Sequence, residues 1–80
     1  MSLIIYTKKG CPWCEDALEF LNTNTVSYEE REVRSNVEFM QELETKSGQS
    51  KAPTLDLDGE ILADTDAQAI EEFLKEKGII

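Results

Sequence analysis

Leu3-Ile4-Ile5-Tyr6-Thr7-Lys8-Lys9-Gly10-Cys11-Pro12-Trp13-Cys14 passes from an apolar run, through a turn, to a proline-led helix start. The continuous apolar residues Leu3 to Tyr6 predict a central strand covered on both faces. Lys8-Lys9-Gly10 breaks that strand. Pro12 suits the first helical position, where its missing N–H leaves no bond unmade, and this makes Cys11 the N-cap. Cys14, Ala17, Leu18 and Leu21 then repeat at helical spacing, and Asn22-Thr23-Asn24 stops the helix.

Working outward, Val26 to Val33 reads as a second strand. Its run of Glu29, Glu30, Arg31 and Glu32 suits a sheet edge, where charge discourages pairing between molecules. Ser35-Asn36-Val37-Glu38 has the form of a capping box and opens a helix. Val37, Phe39, Met40 and Leu43 are its apolar members, and it closes near Gly48. Thr54 to Leu57 and Glu60 to Leu62 are short strands joined by Asp58-Gly59, a two-residue hairpin signal. Thr65-Asp66-Ala67-Gln68 offers a second capping box, with Thr65 as the cap. The last helix carries Ala69, Ile70, Phe73 and Leu74 and ends at Gly78.

The order β-α-β-α-β-β-α predicts an α/β fold in one domain spanning residues 1–80. The first strand–helix–strand unit calls for parallel strands, and the hairpin adds antiparallel ones. Helices on both faces of the resulting mixed four-stranded sheet give a thioredoxin-like layout of minimal length.

The net charge of −9, from 17 acidic and 8 basic residues, argues against nucleic acid or an anionic membrane surface as the main partner. No apolar run approaches the length of a membrane span. Met-Ser-Leu-Ile-Ile-Tyr lacks the basic start and long apolar stretch of a secretory signal, so a cytoplasmic location is expected. Lys8 and Lys9 precede Cys11, and Lys51 precedes Pro53. If these segments meet, the site is locally positive on an acidic molecule. The absence of histidine removes the commonest general base and metal ligand.

Cys-x-x-Cys beside a βαβ pattern reads as a redox motif. Cys11 at a helix N-terminus faces unsatisfied backbone N–H groups and the positive end of the dipole, which favour a thiolate. Cys14, one turn on, is expected to be shielded and to stay a thiol until Cys11 is engaged. Cys11 would then attack a substrate disulfide, and Cys14 would resolve the mixed disulfide. The competing readings are a structural disulfide, half of a shared zinc site, and two unpaired structural cysteines. So small a loop constrains little of the unfolded chain, and zinc needs four ligands.

The segment Ile5–Cys14 resembles the active-site segment of dithiol glutaredoxins, with Trp13 where many members carry tyrosine. The likeness continues through Lys46-Ser47-Gly48-Gln49 and the Ala52-Pro53 step. The resemblance implies glutathione as reductant, protein disulfides and glutathione mixed disulfides as substrates, neither metal nor flavin, and a monomer. It also implies that Pro53 is cis and faces the cysteines, and that Ala52 offers its backbone to the peptide part of glutathione. Lys8 and Gln49 would meet the glycine carboxylate, Thr65 and Asp66 the γ-glutamyl end, and Trp13 would pack beside the sulfurs. Read without the resemblance, Pro53 is a strand-start proline, and Thr65 and Asp66 are helix-capping residues.

Two departures from the family pattern bear on glutathione. Lys51-Ala52-Pro53 stands where Thr-Val-Pro is usual, and Ala63-Asp64 where Gly-Gly is usual. They keep open a redoxin recharged by thioredoxin reductase and donating electrons to an enzyme such as ribonucleotide reductase. The tryptophan-rich segment often found in such redoxins is absent. A third reading, an iron–sulfur cluster carrier, is disfavoured by Pro12.

Overall fold

Leu3–Thr7 finds apolar partners on both of its faces, which is why it becomes the centre of the sheet rather than an edge. The computed structural model describes Met1–Ile80. Strand β1 (Leu3–Thr7) pairs in parallel with β2 (Glu29–Glu32) and antiparallel with β3 (Thr54–Leu57). β4 (Glu60–Leu62) pairs with β3, giving the order β2-β1-β3-β4. Leu3 and Ile5 point to one side, where Ala17 and Leu21 of α1 (Pro12–Thr23) meet Ile70 and Leu74 of α3 (Ala67–Glu76). Tyr6 points to the other side, against Val33 and Leu43 of α2 (Val37–Ser47). Period-two alternation along β1 thus feeds two cores. The mixed sheet flanked by three helices is the expected thioredoxin-like architecture, with the element order read from the sequence. No helix is long and apolar enough to cross a membrane.

Four local expectations need correction. β2 is shorter than Val26–Val33: Val26 and Val33 are buried anchors that flank the ladder rather than belong to it. The N-cap of α2 is Asn36, whose side chain accepts from Glu38 N–H at 2.9 Å, and not Ser35. Ser35 instead turns its backbone N–H to Glu32. Val37 is the first residue of α2 and is 70% exposed, so it is not a core member. The N-cap of α3 is Asp66, whose carboxylate accepts from Ala69 N–H at 2.9 Å, which leaves Thr65 just outside the helix and buried. The hairpin forms as read, with Asp58 (φ 50°) and Gly59 (φ 95°) both in the left-handed region that such a turn demands.

Candidate active site

β1 delivers the chain to the C-terminal edge of the sheet, and the turn after it sets both sulfurs. Gly10 adopts φ 83°, a conformation other residues resist, and Cys11 N–H returns to the Lys8 carbonyl at 3.1 Å. Cys11 is extended at the N-cap of α1 with Pro12 behind it, as expected, and its Sγ accepts from Cys14 N–H at 3.3 Å. The sulfur therefore takes the place that a serine or aspartate side chain fills in an ordinary cap. Cys11 is partly exposed, whereas Cys14 is buried at 2% exposure. Burial, with the contact to Cys11, pushes the Cys14 thiol up to about 12. Lys8 N–H points at Cys14 Sγ from 3.5 Å and works the other way.

A groove of about 460 Å³ opens over Cys11. Of the residues read from the sequence, Lys8, Trp13, Ala52, Thr65 and Asp66 line it together with Cys11. Trp13 is 63% exposed. The Ala52–Pro53 peptide bond is cis, and the Ala52 carbonyl oxygen lies 4.0 Å from Cys11 Sγ. Pro53 is buried behind Ala52, and its carbonyl accepts from Thr65 N–H at 2.8 Å. Thr54 Oγ1 donates to the Lys51 carbonyl at 2.9 Å and accepts from Asp64 N–H at 3.2 Å. These bonds hold residues 51–54 and 64–66 together as one wall.

Gln49 does not line the groove. Its amide donates to Ser47 Oγ at 2.9 Å and accepts from Lys51 N–H, bracing the loop that carries Ala52. Lys51 and Asp64 do line it, with Lys51 Nζ 4.0 Å from an Asp64 carboxylate oxygen. Asp64 sits at φ 47°, in the left-handed region where the glycine of the usual pattern would be unstrained. Arg34, which the sequence reading passed over, lines the groove as well. The available signal was topological, since Arg34 follows a strand parallel and adjacent to the one leading to Cys11, and ligands gather at such strand ends. The groove thus carries Lys8, Arg34 and Lys51 against Asp64 and Asp66, a cationic concentration on a chain of net charge −9.

A family model described as Glutaredoxin matches residues 3–62, which include both cysteines and the cis-proline loop. The chain belongs to the glutaredoxin family. Glutaredoxin 3 of Escherichia coli (strain K12) is 31% identical over 62 residues, covering 78% of this chain and 75% of that protein. An uncharacterized glutaredoxin-like 8.6 kDa protein in the rubredoxin operon of Clostridium pasteurianum is 25% identical over 71 residues, 89% of this chain and 95% of its own length. Among solved structures, the thioredoxin-like protein BC3987 superposes with a TM-score of 0.83 at 30% identity, covering 91% of this chain and all of that one. Glutaredoxin membership makes thiol–disulfide oxidoreduction the chemistry in which Cys11 and Cys14 are to be understood.

Proposed function

We propose that this glutaredoxin reduces protein disulfides and glutathione mixed disulfides through a dithiol cycle, drawing its electrons from glutathione in the cytoplasm. The observation that carries this reading is the asymmetry of the pair. Cys11 Sγ faces the groove and accepts a backbone N–H, while Cys14 is buried one turn behind it. Cys11 thiolate attacks one sulfur of the substrate disulfide, forming a bond to that sulfur and expelling the other half as a thiolate, which takes a proton from water. Cys14 then gives its proton to the departing substrate sulfur through water, and its thiolate attacks Cys11 Sγ, breaking the mixed disulfide. The second substrate thiol leaves, and Cys11–Cys14 becomes the disulfide. Two molecules of glutathione return both electrons and depart as glutathione disulfide.

The groove supports glutathione as the reductant. Lys8, with Arg34 beside it on the groove wall, supplies positive charge for the glycine carboxylate, and Thr65 and Asp66 receive the γ-glutamyl end. The Ala52 backbone aligns the peptide part within reach of Cys11, with Trp13 packing on its flank. Gln49 contributes by bracing the loop under Ala52. One observation favours recharging by thioredoxin reductase instead: Asp64 sets a carboxylate on the groove wall, against an anionic tripeptide.

Two variants and two electron sources test the proposal. Cys11→Ser is expected to lose all exchange. Cys14→Ser keeps turnover on glutathione mixed disulfides and loses it on protein disulfides; equal loss on both substrates contradicts the assigned roles. Oxidised protein re-reduced rapidly by glutathione with glutathione reductase supports glutathione as the source. Re-reduction by thioredoxin reductase with NADPH alone replaces it with the flavin enzyme.

A further inference from the structure

β2 ends at Glu32, and that carboxylate ties the strand end to the loop preceding Cys11. Its Oε2 accepts from the backbone N–H of Lys9 at 2.7 Å and of Arg34 at 3.1 Å, and its Oε1 accepts from Ser35 N–H at 2.8 Å. Arg34 completes the grip from the other side, with Nη1 donating to the Lys9 carbonyl at 2.8 Å. The N–H and C=O of Lys9 are therefore both held by residues at the end of β2, 23 and 25 positions away in sequence. The loop has little else to fix it, because Lys9 and Gly10 are exposed and bring no apolar anchor. Yet the residue before Lys9 aims its N–H at Cys14 Sγ.

We propose that Glu32 is a positioning residue of the dithiol site, holding the Lys8–Gly10 loop so that Lys8 N–H stays directed at the Cys14 sulfur while Cys14 resolves the mixed disulfide. The inference rests on the assignment of Cys14 as the resolving thiol. Resolution requires negative charge on a sulfur that burial disfavours, so a donor fixed on that sulfur lowers the barrier to the step. Glu32 does not act as the base that takes the proton. The Ser35 side chain, together with the backbone N–H groups of Lys9, Arg34 and Ser35, outweighs burial and brings its carboxyl down to about 2. It stays ionised wherever exchange is measured, and it acts as a fixed anchor.

Reaction of the reduced full-length protein with the aromatic disulfide dithiobis(nitrobenzoate), followed by stopped-flow absorbance, separates the two steps. The first thionitrobenzoate is released when Cys11 attacks the reagent. The second is released when Cys14 attacks Cys11 Sγ, breaking the mixed disulfide and closing Cys11–Cys14. Glu32→Ala is expected to slow the second release by about tenfold, the effect of losing a well-aimed hydrogen bond to a developing thiolate, and to slow the first much less. The shape of the pH profile of the second release should not change, because Glu32 carries no proton in the step. If Glu32→Ala does not fold, Glu32→Leu carries the same test, since it fills much of the same space and offers no acceptor to the N–H groups of Lys9, Arg34 and Ser35. A second release as fast as that of the unsubstituted protein in a folded Glu32 variant overturns the inference. A second release that persists in Cys14→Ser instead overturns the dithiol assignment beneath it.

Discussion

Asp64 stands where the resemblance to glutaredoxins leads one to expect glycine, and both consequences of a side chain there can be measured. It occupies φ 47°, where a side chain is strained and glycine is not, and it brings a carboxylate to the groove. Its partner Lys51 is 4.0 Å away and both side chains are largely exposed, so their attraction offsets little of either effect. Asp64→Gly is therefore expected to lower the KM for glutathione several-fold with kcat nearly unchanged. Thermal unfolding should show stability unchanged or raised by about 0.5 kcal/mol, relief of strain outweighing the added freedom of the unfolded chain. A KM that does not fall would mean that this carboxylate does not face the tripeptide. The same residue shows what the sequence yields at this scale. Cys11, Pro12 and Cys14 were legible because an N-cap and its first turn are local, with every partner within a few positions. Arg34 was not, since it reaches the groove only through the parallel pairing of β1 and β2. For Gln49 the structure adds a local role that spacing does not show: its amide meets the neighbouring Ser47 and Lys51.

Helix and strand identities followed from periodicity, while the ends of elements did not. At both capping boxes the polar run offers two adjacent candidates, Ser35 or Asn36 and Thr65 or Asp66. In each case the second one caps. Composition cannot separate them, because the choice depends on which residue leaves the preceding segment in an extended conformation. Asn36 does so at φ −146° after Ser35 has been drawn to Glu32, and Asp66 does so at φ −149° after Thr65 has been tied to the Pro53 carbonyl. Tertiary bonds upstream thus select the cap. Asn36→Ala is expected to destabilise the protein by about 1 kcal/mol, the usual loss for such a cap, which lowers the Tm of a domain this size by roughly 4–8 °C. Ser35→Ala should have a smaller effect in the same melting experiment, because the Asn36 cap and the backbone bond from Ser35 to Glu32 both survive it and only the Ser35 side chain's contribution at Glu32 is lost. An equal loss in the two variants would return the cap to Ser35.

The acid stability of the whole molecule depends on carboxylates that few sequence cues identify as paired. Asp56 sits in β3 at 7% exposure, an improbable place for a charge until α2 brings Lys46 to it at 2.7 Å. The same ammonium donates to Tyr6 Oη at 2.7 Å, and Glu42 accepts from Tyr6 Oη at 3.0 Å and from Arg31 Nη1 at 2.5 Å. This network joins β2, β1, β3 and α2 across sequence separations of up to 40 residues, beyond the reach of any local pattern. Burial alone would raise the Asp56 and Glu42 carboxyls, but Lys46 outweighs it at Asp56, and Arg31 with Tyr6 outweighs it at Glu42, leaving both below their usual values. Glu32 is held down as well, at about 2. A carboxyl depressed in the folded state binds its proton first in the unfolded chain. Its stabilisation is complete above the ordinary carboxylate range and is lost as pH falls through the folded value. Stability should therefore change little from pH 7 to about 5 and fall continuously from about 4.5 towards 2, by up to ~1.4 kcal/mol per pH unit for each group titrating. Urea unfolding across this range checks the slope, and Asp56→Asn isolates one contributor. That variant should be less stable than the parent at pH 7, because Lys46 loses its ion pair. It should also lose stability less steeply below pH 4.5, because one linked proton has been removed. An acid slope identical to the parent's would mean that the Lys46–Asp56 pair contributes nothing to holding α2 on the sheet.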